Sequence, residues 1–378
     1  MKIYGLILAA GFSSRMGKLK ALLPLDGCTV LSRCIRSLVN GGASDVFVVT
    51  GHKADKVGSE AKVLGMHEIF NPDYDQGMFS SVKAGVQGLP DDASAFLVLP
   101  VDIPLVRSST IRALTFDYTS APADIIYPCF KGERGHPPLI SAKLIPEILA
   151  HDGSGGLRTV LDRHEQNSRE RNMPDLGILR DLDTPADYEQ ARLISRRRVP
   201  LPEECEALWE LAETPLQTRE HCKTVAEAAC LMAKALNKAR KHQKTLDLNI
   251  VKCAALMHDV AKLKRNHEAA GAAILAGYGF SGIADIVAAH RDTDIKADSP
   301  LTEQEIVFLA DKLFQGTNPV SLDQRYGKTL ARWKSDPDAV AAITGRLSRA
   351  KDLLQRYEQE AGISIPEHLP RLQAKELV

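Results

Sequence analysis

The hydrophobic pattern of this 378-residue chain changes character once, at Ser195-Arg-Arg-Arg-Val-Pro-Leu-Pro202, and no single layered fold accommodates both halves. Three like charges followed by two prolines suit neither a helix interior nor a central strand. Before that point short apolar runs alternate with amphipathic stretches. Ile3 to Ala9, Val46 to Thr50, Ala95 to Pro100 and Asp124 to Pro128 read as strands. Between them, segments such as Ser80 to Gln87 carry apolar residues at helical spacing, as Val82, Val86 and Leu89 do. This rhythm predicts an α/β domain with a mostly parallel sheet and helices on both faces. After the break nearly everything reads as helix: Thr224 to Leu236, Leu248 to Lys262, Glu268 to Leu275, Ser281 to His290, Glu303 to Leu313 and Pro337 to Gln359. An all-α bundle is expected there. The expected division is a first domain over 1–194, a linker over 195–204 and a helical domain over 205–378, in keeping with a length at which single cores split.

Charge narrows the choice of ligand. Lysine plus arginine (48) balances aspartate plus glutamate (48), so no global field favours nucleic acid or an anionic membrane, and small phosphorylated molecules fit better than long polyanions. The seven cysteines show no C-x-x-C spacing, which argues against a thiolate zinc site and against a disulfide framework. A reducing cytoplasm is the expected location. The opening Met1 to Ala10 has the hydrophobicity of a short secretion signal, but its apolar run is only a strand's length and passes directly into a glycine turn, so it reads as a buried first strand. No apolar segment approaches the roughly 20 residues needed to span a bilayer.

Leu8-Ala-Ala-Gly-Phe-Ser-Ser-Arg-Met-Gly17 follows that first strand. Gly11 and Gly17 lack the Cβ that would keep a phosphate away from backbone N–H groups, and Arg15 and Lys20 supply charge. A glycine turn after a strand also arises for purely steric reasons. Its companions favour a ligand. Asp102, in Leu97-Val-Leu-Pro-Val-Asp-Ile-Pro104, falls just past the carboxyl end of a strand, where open α/β sheets place their ligands and where a carboxylate can hold Mg²⁺. Asp183, in Asp181-Leu-Asp-Thr-Pro185, offers a second oxygen ligand, which suits a cation that takes few carboxylates plus substrate phosphates. The alternative for Asp183 is a helix cap before Pro185.

Together these residues resemble the MobA-like nucleotidyltransferases, and within them the molybdenum cofactor cytidylyltransferases. The resemblance spans the first domain and rests on the Leu8 to Gly17 loop with Lys20, Asn71-Pro-Asp-Tyr-Asp-Gln-Gly-Met-Phe-Ser-Ser81, Val101-Asp-Ile-Pro104, Gly135-His-Pro137 and Asp183-Thr-Pro185. It implies a Rossmann-like sheet in which Leu8, Ala9, Ala10, Gly11, Ser13, Arg15, Lys20, Ser80 and Asp102 meet the nucleotide. It implies Mg²⁺ on Asp102 and Asp183, with Gly77, Ser81, Gly135 and His136 facing the base or the pterin. The reaction implied is attack by the terminal phosphate of molybdopterin on the α-phosphorus of CTP, with pyrophosphate leaving. Positioning and charge neutralisation carry such a step without a protein nucleophile. The Ala9-Ala10 pair resembles the cytidylyl branch rather than the guanylyl branch.

In the helical half, His258 and Asp259 fall late in an apolar helix, with Lys262 one turn beyond. His221 lies near the start of an earlier helix, and Asp311 lies inside apolar Phe308-Leu-Ala-Asp-Lys-Leu313, where a carboxylate needs a partner. Singly, each has an ordinary account as a satisfied core histidine or a structural ion pair. Converging in a bundle, the four make a mixed nitrogen and oxygen metal site. This arrangement resembles the HD-domain metal phosphohydrolases over a core of about 216–315. The resemblance implies one or two divalent transition metals, Mn, Fe or Zn. Asp259 would bridge, with His221, His258 and Asp311 on one ion and His267 and His290 on the other, and Lys262 would neutralise a phosphate oxygen.

The leading expectation is therefore a bifunctional enzyme of molybdenum cofactor maturation, whose second domain hydrolyses a nucleotide or phosphomonoester. One alternative is a transferase for a sugar phosphate or another phosphorylated alcohol. Another is a chaperone that delivers the cofactor to a molybdenum hydroxylase and carries a regulatory HD module. The run from Ser321 to Val378 is expected to complete the bundle, and the basic Lys238 to Lys244 run to form a solvated face.

Overall fold

A computed structural model describes residues 1–13, 16–240, 244–290 and 299–365. The chain divides into two compact units, Met1–Arg197 and Arg198–Val378.

In the first unit the elements run β1 (Lys2–Leu8), β2 (Pro24–Leu25), β3 (Cys28–Thr29), α1 (Val30–Asn40), β4 (Asp45–Thr50), α2 (Ala54–Val63), β5 (His67–Phe70) and α3 (Met78–Gln87). They continue with β6 (Ala93–Pro100), α4 (Ser108–Ser120), β7 (Ile125–Phe130), β8 (Glu133–Arg134), β9 (Leu139–Ser141), α5 (Ile145–Ala150), α6 (Gly156–Asp162), β10 (Ser168–Asn172) and α7 (Pro185–Ser195). The main sheet has the order β10-β7-β9-β6-β1-β4-β5, with β8 paired to β7. β6, β1, β4 and β5 are mutually parallel, and β9 enters antiparallel between β6 and β7.

Strands covered on both faces need apolar residues at every position, which is why β1 reads as a continuous run rather than an alternation. Ile3 through Leu8 are all buried. Leu6 and Leu8 pack with Phe79, Val82 and Val86 of α3 on one face. On the other, α1 lies so close that a Cβ on Gly5 would meet Leu38 Cδ1 at 2.8 Å. Each fully buried aliphatic side chain here is worth about 1.5–3 kcal/mol relative to exposure.

The second unit comprises α8 (Pro202–Leu211), α9 (Leu216–Ala239), α10 (Leu248–Met257), α11 (His267–Gly277), α12 (Ser281–Ala289), α13 (Glu303–Lys312), the short hairpin β11 (Phe314–Gln315) and β12 (Asn318–Pro319), α14 (Leu322–Arg332) and α15 (Pro337–Ala361). The 195–204 segment, expected to be a linker, contains Val199 and Leu201, which are buried, and Val199 belongs to the helical core. α15 lays Ile343, Ala350, Leu353 and Tyr357 into the same core, so the late helices are part of the bundle. α13 opens with a capping box between Thr302 and Glu305, which satisfies backbone donors that would otherwise be orphaned. Among the described residues no helix is long and apolar enough to cross a membrane.

Candidate functional site

A cavity of about 330 Å³ opens at the carboxyl ends of β1 and β6. These strands are parallel neighbours with Leu8 beside Pro100, so Ala9 to Gly11 and Val101 to Asp102 emerge side by side. From β1 the sheet extends to β4 and β5 in one direction and returns to β6 in the other, and this reversal of strand order is where a crevice forms. Leu8, Ala9, Ala10, Gly11, Ser13, Lys20, Gly77, Ser81 and Asp102 all line it. Arg15 lies outside the described residues.

Gly77 opens α3 with φ +97°, a conformation that L side chains rarely adopt, and nothing lies within 4 Å of where its Cβ would be. Ser80 is not in the lining. Its hydroxyl donates to the Gly77 carbonyl at 2.8 Å and accepts from Asn71 Nδ2 at 2.9 Å, while the same amide reaches Ser81 Oγ at 3.0 Å. Asn71 therefore braces the turn. Gly135 and His136 also stand outside the lining. A Cβ on Gly135 would meet the Ile178 carbonyl oxygen at 2.6 Å, so close packing by itself requires glycine there. Burial holds the His136 imidazole below its ordinary pKa, against a backbone bond at Val98 and the Asp102 charge.

Lys20 is the electrostatic centre of this site. Its Nζ lies 2.8 Å from Asp183 Oδ1 and 3.1 Å from Asp102 Oδ2. Burial opposes its charge, but the Asp183 hydrogen bond and the Asp102 charge outweigh burial and raise its pKa. Asp183 is brought there by the backbone, because the Leu182 N–H donates to the Asp102 carbonyl at 2.8 Å. It is not the cap of α7. Thr184 takes that role in a capping box with Asp187, which leaves the Asp183 carboxylate directed at Lys20. Two carboxylates that grip one cation at about hydrogen-bond distance form an oxygen-only donor pair of the kind Mg²⁺ takes. Phe12 and Tyr74 add an aromatic rim that the local sequence spacing does not reveal, with ring centroids 5.4 Å apart and His52 5.0 Å from Phe12.

The helical unit gathers the second set. The expected helix from Leu248 to Lys262 stops at Met257, and His258 is its C-cap. His258 Nδ1 lies 2.7 Å from the Ala255 carbonyl, so the ring competes for an acceptor near the helix end. His290 repeats the device at the C-cap of α12, with Nδ1 2.6 Å from the Val287 carbonyl, and His221 Nδ1 lies 2.8 Å from the Gly316 carbonyl. A carbonyl oxygen can only accept, so each Nδ1 carries the proton. In the neutral ring Nε2 is then a lone pair. This is the orientation that histidine ligands adopt when a second partner fixes their tautomer.

The Nε2 atoms of His258 and His290 face Asp259, and that of His221 faces Asp311. The donor atoms of His221, His258 and Asp259 lie within 4.8 Å of one another, as do those of Asp259, His267 and His290. Asp259 belongs to both groups. Asp259 Oδ1 lies 3.2 Å from His267 Nε2 and 3.5 Å from His290 Nε2. Asp311 Oδ1 is 3.1 Å from His221 Nε2 and 3.7 Å from His258 Nε2. His258 Nε2 and Asp259 Oδ1 are buried with no hydrogen-bond partner among the described residues. Buried polar atoms are seldom left so, and a divalent cation would satisfy both. Burial lowers the His258 pKa to about 4, so the ring is a neutral donor. The Asp259 carboxylate is held below its usual range. Burial opposes this, and the close approach of His267 and His290 together with the Lys262 ammonium outweighs it. Lys262 Nζ reaches Asp259 Oδ2 at 2.7 Å from a half-exposed position.

Comparison with known proteins follows this division. The MobA-like NTP transferase domain matches residues 5–168, and the HD domain matches residues 218–315. The molybdenum cofactor cytidylyltransferase of Escherichia coli K12 is 30% identical over 188 residues, spanning 50% of this chain and 94% of that protein. The nicotine blue oxidoreductase of Paenarthrobacter nicotinovorans is 31% identical over 173 residues, spanning 42% and 81%. The purine catabolism protein PucB of Bacillus subtilis is 27% identical over 199 residues, spanning 50% and 96%. With a cavity at the β1 and β6 ends, a cation held between two carboxylates and a separate histidine and aspartate cluster, the chain belongs to the MobA-like nucleotidyltransferase family and joins that domain to an HD domain.

Proposed function

We propose that the first unit transfers a cytidylyl group from CTP to the terminal phosphate of molybdopterin, and that the second hydrolyses a phosphoester. The observation that carries the first half is Lys20, held by Asp102 and Asp183 on the wall of the glycine-loop cavity. A phosphate oxygen of the pterin attacks the α-phosphorus of CTP, a new P–O bond forms, the bond to the β-phosphate breaks, and pyrophosphate leaves with its electron pair. Lys20 neutralises phosphate charge, the Gly11 turn lets the triphosphate approach the backbone, and the cavity aligns donor and acceptor. Asp102 and Asp183 would hold Mg²⁺, which when bound supplies further charge neutralisation. The likeness to the E. coli cytidylyltransferase supports CTP and the pterin as substrates, with a molybdenum hydroxylase as the proposed recipient of the product.

For the HD unit, His221, His258, Asp259, His267, His290 and Asp311 would hold one or two divalent ions, which when bound supply Lewis acidity toward a phosphate. Lys262 stands beside Asp259 to neutralise a phosphate oxygen.

The acceptor is the discriminating element. With CTP fixed, the full-length protein is expected to release pyrophosphate when given molybdopterin and to release less than about a hundredth as much with glucose 1-phosphate or another sugar phosphate, since each mismatched polar contact costs about a tenfold factor or more. Comparable rates with a sugar phosphate would replace the pterin reading with the sugar-phosphate one.

A further inference from the structure

A cavity of about 480 Å³ in the second unit, within the range of small-molecule pockets, has no assigned role. Its cations come from α13, α14 and α15: Lys312, Arg325, Lys328 and Arg346. No carboxylate is among the lining residues. Trp333 and Ile343 supply an aromatic and an aliphatic wall, and the Trp333 ring, 46% exposed, has the Arg332 guanidinium 5.9 Å from its centroid. Apart from Lys312 and Gln315, the lining lies beyond the matched HD segment, which ends at residue 315.

The cavity is tied to the histidine and aspartate cluster through one residue. Lys312 Nζ lies 2.5 Å from Asp311 Oδ2, and Arg325 lies 3.7 Å from Asp311 Oδ1. Lys328 Nζ has a neutral partner, Gln315 Oε1 at 3.2 Å, and Arg346 Nε donates to the Ala342 carbonyl at 3.3 Å. Neither contact neutralises its charge. Among the described residues Lys328 and Arg346 are thus charges held at a cavity wall with neutral partners, and Lys312 and Arg325 connect that wall to Asp311.

We infer that α14 and α15 build the substrate-recognition pocket of the HD centre, and that it takes a planar heterocycle carrying phosphate. This rests on the phosphoester reading of the HD unit and names its substrate class. Lys328 and Arg346 bind the phosphate, and Trp333 stacks on the ring. Arg325 and Lys312 pass the anionic end toward Asp311. A nucleoside phosphate and a pterin phosphate share this chemistry.

The test is titration of the full-length protein with CMP, GMP and metal-free molybdopterin, followed by quenching of Trp333 fluorescence. Trp209, the other tryptophan, is buried and provides a constant background. At least one ring phosphate is expected to quench saturably, and W333F is expected to abolish that signal. The double variant K328Q/R346Q should weaken the quenching ligand about tenfold or more, the loss expected of two charge-assisted contacts. Both side chains lie outside the core, so circular dichroism should be unchanged. Quenching by CMP or GMP alone identifies a nucleoside phosphate, and quenching by molybdopterin alone identifies a pterin phosphate. No quenching by any of the three overturns the inference, as does quenching that K328Q/R346Q leaves intact. Manganese-dependent phosphate release, measured in parallel, separates the two readings. Quenching without hydrolysis retains the pocket and removes the hydrolase, and hydrolysis without quenching does the reverse.

Discussion

Asp102→Asn is expected to lower pterin-dependent pyrophosphate release by about 100- to 1,000-fold, equivalent to about 3–4 kcal/mol of transition-state stabilisation. The substitution is nearly isosteric, so what it removes is charge. Lys20 would keep Asp183 at 2.8 Å and lose only the contact at 3.1 Å. Both carboxylates are partly exposed, so unfolding stability should change by less than about 0.5 kcal/mol. Pyrophosphate release and thermal unfolding measured on the same preparation would separate lost chemistry from lost structure. Activity near that of the unaltered protein would remove Asp102 from the phosphate-handling machinery.

The second large effect is expected from Asp259→Asn. This carboxylate is the one donor shared by both groups of converging side chains, so its loss should disable both. Substituting a partner that merely orients a ligand typically lowers metal affinity 10- to 100-fold, and replacing the shared ligand itself should cost more than about 100-fold. Metal content after dialysis and phosphate release should fall together. His267→Ala provides the contrast, because His267 belongs to one group only, and it should leave the His221, His258 and Asp259 group in place. If Asp259→Asn retained its full metal content, the cluster would not be built around Asp259.

The two halves of the chain were legible to different depths, for physical reasons. A buried parallel strand must be apolar on both faces and a bundle helix on one, so β1, β4 and β6 and the long helices announce themselves by pattern. β9 does not. Three residues, Leu139–Ser141, have no period to read, and their place between β6 and β7 is set by pairing with residues far away in sequence. The end of α10 was hidden for another reason. Val260 and Ala261 continue the apolar run and are buried, so nothing in the sequence marks the point where the His258 ring takes the Ala255 carbonyl.

Of the first site, the glycine loop and Asp102 come together because adjacent strand ends carry them, and strand ends can be read from sequence, whereas Lys20 lies in a short turn twelve residues past β1 and is held by Asp102 and Asp183. The role of Ser80 in bracing Gly77, and the packing demand at Gly135, depend on Asn71 and Ile178. Those partners are supplied by folding, and no local spacing names them. The basic cavity of the second unit is the extreme case. Its cations come from the end of α13, from α14 and from α15, and each alone reads as a solvated surface charge.

Pterin-dependent cytidylyl transfer by the first unit is the reaction on which the proposed roles of Lys20, Asp102 and Asp183 rest. The most direct test is to measure pyrophosphate released by the full-length protein with Mg²⁺ and molybdenum-loaded molybdopterin, supplying CTP, GTP and ATP in separate reactions. The predicted result is release from CTP that requires the pterin and matches the pterin consumed, with GTP and ATP far behind. Release from no nucleotide, or release from CTP that is the same without the pterin, would contradict it.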